Sequence, residues 1–85
     1  MSKMFQIELT EISKKFLEKL QKKEVEIILK KIYSMRDNPY RFLKRLRGEK
    51  LWRLRIGNYR AVIDVVISMN RIVVVRIGHR KNVYD

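Results

Sequence analysis

Arg53 and Arg55 stand two residues apart among Trp52, Leu54 and Ile56, and Arg60 follows just beyond Gly57-Asn58. Strict alternation is the pattern of a β-strand, so both arginines face one side and the apolar residues the other. If Gly57-Asn58 closes a hairpin, Arg60 returns to the arginine-bearing side. A guanidinium stays protonated at any working pH and offers a planar fork that matches phosphate oxygens. Three of them on one sheet face predict a phosphate-binding surface, with RNA or DNA as the molecule handled. A second group closes the chain: His79, Arg80 and Tyr84 within the run Gly78 to Tyr84. These are expected at a sheet edge on irregular backbone, a common location for chemistry. The bland alternative is the commoner one for isolated titratable residues: a locally bonded His79, a solvated Arg80 and a Tyr84 ring packed on the sheet.

Charge gives these residues their context. The formal net charge is +12 over 85 residues, and residues 41–85 hold 12 basic against 3 acidic side chains, or +9 of that total. Such a field concentrates polyanions at the surface, although it attracts acidic proteins and anionic membranes as well. Lys44, Arg45 and Arg47 adjoin the arginine strand and, with Lys81 beside Arg80, are candidates for contacts to a nucleic-acid backbone. No helix with an anchoring amphipathic pattern accompanies the basic run, so a membrane partner is not expected. With no cysteine there is neither a disulfide framework nor a thiolate metal site. Glu49, Asp64 and Asp85 are too scattered for a two-metal cluster, so neither a metal nor another cofactor is expected. Met1-Ser2-Lys3 leads into alternating residues instead of an apolar targeting segment. A soluble cytoplasmic protein is expected, folded as a single domain over residues 1–85.

The elements that must position these groups are legible from periodicity. Phe5, Ile7 and Leu9 alternate with polar residues and predict a first strand. Thr10 is a good N-cap for a helix whose apolar stripe is Ile12, Phe16, Leu17 and Leu20. Carried on without a break, that helix would throw Val25, Ile28, Leu29 and Ile32 onto another face, displaced by roughly 140° at 100° per residue. A break between Gln21 and Glu24 restores both stripes and makes a helical hairpin, ended by Asn38-Pro39. Tyr40 to Lys50 reads as a basic connector anchored by Phe42, Leu43 and Leu46. Three strands follow, at Leu51 to Ile56, Tyr59 to Ser68 and Ile72 to Ile77, the middle one apolar on both faces and hence central. The fold class is α+β: strand, helical hairpin, then a three-stranded antiparallel meander, with the helices on one face of the sheet. Trp52 is expected in the core, whereas Tyr59 could pack or stack on a base.

Three motifs in this order, Leu46-Arg47-Gly48, Trp52-Arg53-Leu54-Arg55-Ile56-Gly57-Asn58-Tyr59-Arg60 and Ile77-Gly78-His79-Arg80-Lys81-Asn82-Val83-Tyr84, resemble the RelE/ParE toxin superfamily, most closely archaeal RelE. The resemblance runs from about Met4 to Tyr84. It implies the RelE-like fold and a toxin of a type II toxin–antitoxin system, neutralised by a RelB-like antitoxin in a complex of the kind that binds operator DNA. The implied activity is a translation-inhibiting endoribonuclease, an mRNA interferase that cuts mRNA in the ribosomal A site. Its nucleophile is the RNA's own 2′-hydroxyl, without metal, leaving a cyclic phosphate and a 5′-hydroxyl. Such a reaction needs in-line geometry, charge stabilisation at phosphorus and two proton transfers.

By the same resemblance Arg60 and Arg80 match the phosphate-stabilising arginines, and Tyr84 matches the C-terminal tyrosine that orients, protonates or stacks. Arg53 and Arg55 stand where members of the family carry lysine. An arginine does not surrender its proton, so neither serves as a general base. His79, then Tyr84, becomes the expected acceptor; failing that, the activity is weaker than in lysine-bearing relatives. Two alternatives remain open: a catalytically weak ParE-like toxin acting on a protein such as gyrase, and a non-toxic basic RNA-binding module.

Overall fold

The computed structural model describes residues 4–46, 48 and 50–81. β1 (Gln6–Leu9) is followed by α1 (Glu11–Glu18) and α2 (Lys22–Tyr33), and then by β2 (Leu43–Arg45), β3 (Trp52–Ile56), β4 (Tyr59–Val66) and β5 (Arg71–His79). The strands form one mixed sheet in the order β1-β5-β4-β3-β2, with β1 parallel to β5 and the other pairs antiparallel. β4 is therefore central, as its two apolar faces require. Both helices lie on one face, where Leu17, Ile28, Ile32 and Met35 meet Leu54, Ile56, Ala61, Ile63, Ile72, Val74 and Ile77 in a single core. The α+β class, the helical hairpin and the antiparallel β3-β4-β5 meander agree with the sequence reading.

Three local departures have clear physical reasons. The basic connector is more ordered than its composition implied: after a 3-10 turn at Pro39–Arg41, its Leu43–Arg45 pair with Trp52–Leu54 as a fifth, edge strand. Three residues are too few to show a period, so alternation could not reveal it. Ile12, assigned to the buried stripe of α1, is exposed, and the fully buried Ser13 takes the inward position. The Ser13 hydroxyl donates to the Val74 carbonyl at 2.8 Å, a bond that offsets the desolvation of a polar group. Finally, β5 runs on to His79, which pairs with Tyr59 in regular strand instead of lying on irregular backbone.

Thr10 does cap α1, its hydroxyl accepting from the Ser13 amide at 3.2 Å. The same hydroxyl donates to the Val75 carbonyl at 2.7 Å. Val75 sits where the β4–β5 register slips, since Val62 pairs with Arg76 while the next residue, Ile63, pairs with Val74. The extra residue is a β-bulge, and one side chain thus ties helix entry to strand irregularity.

Candidate nucleic-acid interface

The β3–β4 hairpin turns on Gly57, whose φ of +56° is the left-handed value that hairpin turns demand at their first central position. Ile56 pairs with Tyr59 across it and Arg55 with Arg60. The register therefore brings Arg53, Arg55 and Arg60 to one sheet face, opposite the helices, as their spacing predicted. β2 adds Lys44, paired with Arg53. Lys44, Arg53, Arg55 and Arg60, with Phe42, line a cleft of about 170 Å³ with no carboxylate among the described residues of its wall. The Arg60 guanidinium is held in place, donating to the carbonyls of Gly57 and Tyr59 at 2.7 Å each. Held donors need no reorganisation when an anion arrives.

Two features of this face lie beyond a simple reading of the sequence. Unbroken alternation from Ile72 and Val74 would aim Arg76 at the core. The bulge at Val75 turns it to the open face opposite Val62, and Ile77 resumes the core side. Val62 is 1% exposed yet lies outside the core, flanked in register by Arg53 and Arg76. Long aliphatic stems over such a residue give the charged face a dry floor. The only signal for Arg76 was the spacing Ile72, Val74, Ile77, which fits a period of two only if one residue is extra.

The remaining predicted residues divide between places. Arg45 belongs to the helix side of the sheet, its guanidinium 5.1 Å from the ring of Trp52, which packs in turn beside Tyr40. His79 also faces the helix side. Its ring lies 4.9 Å from that of Tyr59 and 6.1 Å from Phe16, so the sheet separates it from the arginine cleft. Arg80 donates its backbone N–H to the Asn58 carbonyl at 3.0 Å, and Asn58, His79, Arg80 and Lys81 line an open cleft of about 450 Å³ on the other flank of the turn. The two clefts share no lining residue. Tyr84 and Arg47 lie outside the described residues.

Tyr59 packs against the core as well as His79, and its hydroxyl donates to the Glu24 carboxylate. Accepting that bond, together with burial and its negative charge, Glu24 raises the Tyr59 pKa above its ordinary value. Glu24 also accepts from the Gln21 amide at 3.4 Å in a capping box, so the arginine hairpin is tied to the start of α2.

A wider groove of about 820 Å³ lies beside α2, with Ile27 and Ile56 as its apolar part and Lys30, Lys31 and Arg41 around it. Phe42 and Arg55 belong to both this groove and the arginine cleft. Lys31 and Arg41 stand 4.5 and 5.8 Å from the centre of the Phe42 ring, within cation–π range.

The same architecture occurs in toxin–antitoxin complexes of known structure. A chain of the RelBE complex from Mycobacterium tuberculosis superposes with a TM-score of 0.83 at 22% identity, over 91% of this chain and 99% of that one. For the archaeal RelE–RelB complex from Pyrococcus horikoshii the values are 0.79 and 21%, over 94% and 99% of the two chains. For the RelB–RelE complex from Methanococcus jannaschii they are 0.63 and 27%, over 92% and 95%. No curated protein sequence gives a significant match. The family model of the ParE toxin of type II toxin–antitoxin systems matches residues 6–84, through the arginine hairpin and the C-terminal motif alike, and the chain belongs to that family, within the RelE/ParE superfamily.

Proposed function

We propose that this toxin is a metal-independent mRNA endonuclease that acts in the ribosomal A site. The observation that carries the reading is the cleft formed by Lys44, Arg53, Arg55 and Arg60, four cations side by side with no carboxylate among its described lining residues, which suits a phosphodiester. In the reaction the 2′-oxygen attacks phosphorus in line, the P–O5′ bond breaks, and charge accumulates on the non-bridging oxygens. Arg60 and Arg80 are assigned to that charge from the two sides of the turn, with Arg53 and Arg55 holding the phosphate. Tyr84 is the candidate to receive the 2′-hydroxyl proton, since the sheet separates His79 from the arginine cleft, and Lys44, Arg45, Arg47 and Lys81 are the candidates for backbone contacts. The expected setting is the cytoplasm, where a RelB-like antitoxin silences the toxin and the pair engages operator DNA. In the three complexes a RelE chain is paired with RelB. Here the groove with Ile27 and Ile56 inside and lysines at its rim offers an acidic, partly apolar segment a seat.

Single-turnover cleavage of ribosome-bound mRNA tests this. Arg60→Ala and Arg80→Ala should each slow cleavage about 10²-fold while ribosome affinity stays nearly unchanged. Affinity lost in proportion to rate would make both residues binders. A second reading, a toxin that inhibits a protein target such as gyrase, is favoured by the ParE family match. Wild-type protein that spares mRNA on every ribosome but blocks gyrase in a supercoiling assay would put it first.

A further inference from the structure

The nuclease reading leaves one half of the proton inventory unassigned. When the P–O5′ bond breaks, the departing O5′ must gain a proton, and arginine is a poor donor because its delocalised guanidinium holds its proton far into the alkaline range. His79 lies across the sheet from the arginine cleft, packed with Tyr59 and Phe16. Among the described residues that line the cleft, Phe42, Arg53, Arg55 and Arg60 are an aromatic ring and three guanidiniums, and Lys44 alone brings an ammonium. Its position is set by backbone: β2 is pinned to β3 through the pairs Leu43–Leu54, Lys44–Arg53 and Arg45–Trp52, and the pairing turns Lys44 to the arginine side. Lys44 is exposed and has no hydrogen bond or ion pair among the described residues, so its ammonium is not committed elsewhere.

We propose that Lys44 is the general acid of the cleavage, donating a proton from Nζ to O5′ of the leaving nucleotide. The inference rests on the nuclease reading and adds to it a residue from the edge strand. In the step, the bond from the 2′-oxygen to phosphorus forms and the P–O5′ bond breaks. The 2′-hydroxyl proton passes to the acceptor sought in Tyr84, and one proton moves from Lys44 to O5′. Neutral Lys44 is then reprotonated by solvent. Neighbouring Arg53 and Arg55 of β3 and Arg60 of β4 keep their charge throughout and hold the non-bridging oxygens. The lysine that this chain lacks on β3 is thereby supplied from the next strand, directly opposite Arg53 in register.

Leaving-group chemistry tests the assignment. The cleavage site of the wild-type protein is first mapped on ribosome-bound mRNA, and the same message is made with sulfur in place of the bridging 5′-oxygen at that site. A thiolate leaves without a proton, so a missing acid ceases to matter. Lys44→Arg keeps the charge and removes the usable proton, and it should cut the oxygen-substrate rate about 10²-fold. On the sulfur substrate it should come within about threefold of wild type. Lys44→Ala should be rescued in the same way, whereas Arg60→Ala, which acts on non-bridging charge, should not. Equal slowing of Lys44→Arg on both substrates, or full activity on the oxygen substrate, overturns the proposal and leaves the nuclease reading standing. Wild-type protein that cleaves neither message removes the nuclease reading itself.

Discussion

Among single residues, Tyr59 carries a titration that can be read in solution. Its bond to Glu24 favours the protonated phenol and so raises its folded-state pKa above the ordinary value of 10.0. Stability from that bond is complete below the ordinary value and is lost as pH rises through the raised one. Thermal melting of wild type against Tyr59→Phe should therefore show a gap of about 1 kcal/mol at neutral pH that closes in the alkaline range. A gap that widens with pH would contradict the assignment of Glu24 as acceptor. His79 is tested by its own substitution. If its imidazole takes the 2′-hydroxyl proton, His79→Ala should remove the acidic limb of the pH–rate profile. If the ring serves only to pack on Tyr59 and Phe16, the profile keeps its shape and stability falls.

At the scale of elements, the link between α1 and the bulge in β5 is the most consequential local device. Thr10 accepts from the Ser13 amide and donates to the Val75 carbonyl, so one hydroxyl serves a helix terminus and an interrupted ladder. Thr10→Val preserves shape and removes both bonds. It should cost about 2 kcal/mol in urea unfolding, and Thr10→Ser should recover most of the loss. A loss shared equally by the serine variant would place the cause in packing of the methyl group. The bulge also decides which face Arg76 joins, so the same contact bears on the cationic surface. β2 is the second such device: a three-residue edge strand delivers Lys44 to the arginine cleft and Arg45 to the opposite side.

For the whole molecule, the division into a helix-covered face and a cationic face has two measurable results. Affinity for single-stranded RNA should fall linearly in log–log form with salt, with a slope of about −0.7 for each phosphate neutralised. An affinity indifferent to salt would show that the arginine face is not where RNA binds. The groove beside α2 makes the matching prediction for the partner. Ile27 is 57% exposed, so Ile27→Glu should leave folding intact while weakening the complex with the product of the adjacent gene by about tenfold or more. Unchanged affinity would move the antitoxin's apolar contacts elsewhere.

Much of this was determined by the sequence alone, for a physical reason that differs from element to element. Side-chain period is a property of the chain, so β1, the two helical stripes apart from the exposed Ile12, the meander and the shared face of Arg53, Arg55 and Arg60 were legible before any fold was in hand. Cap chemistry is equally local, which is why Thr10 marked the start of α1; α2, by contrast, ends at Tyr33, ahead of the Asn38-Pro39 stop that the sequence suggested. What only the tertiary structure decided depends on pairing between distant segments. β2 exists because Leu43–Arg45 find a partner in β3, and its three residues carry no period of their own. Arg76 reaches the open face because β4 and β5 slip by one residue, and a slip belongs to two strands at once. His79 turned to the helix side because β5 continues in register with Tyr59, which separates it from the cleft that its residue type invited it to join. The identity of the proton donor is of this second kind: Lys44 was visible as a basic residue, and it became a candidate acid only when an edge strand set it among groups that cannot release a proton.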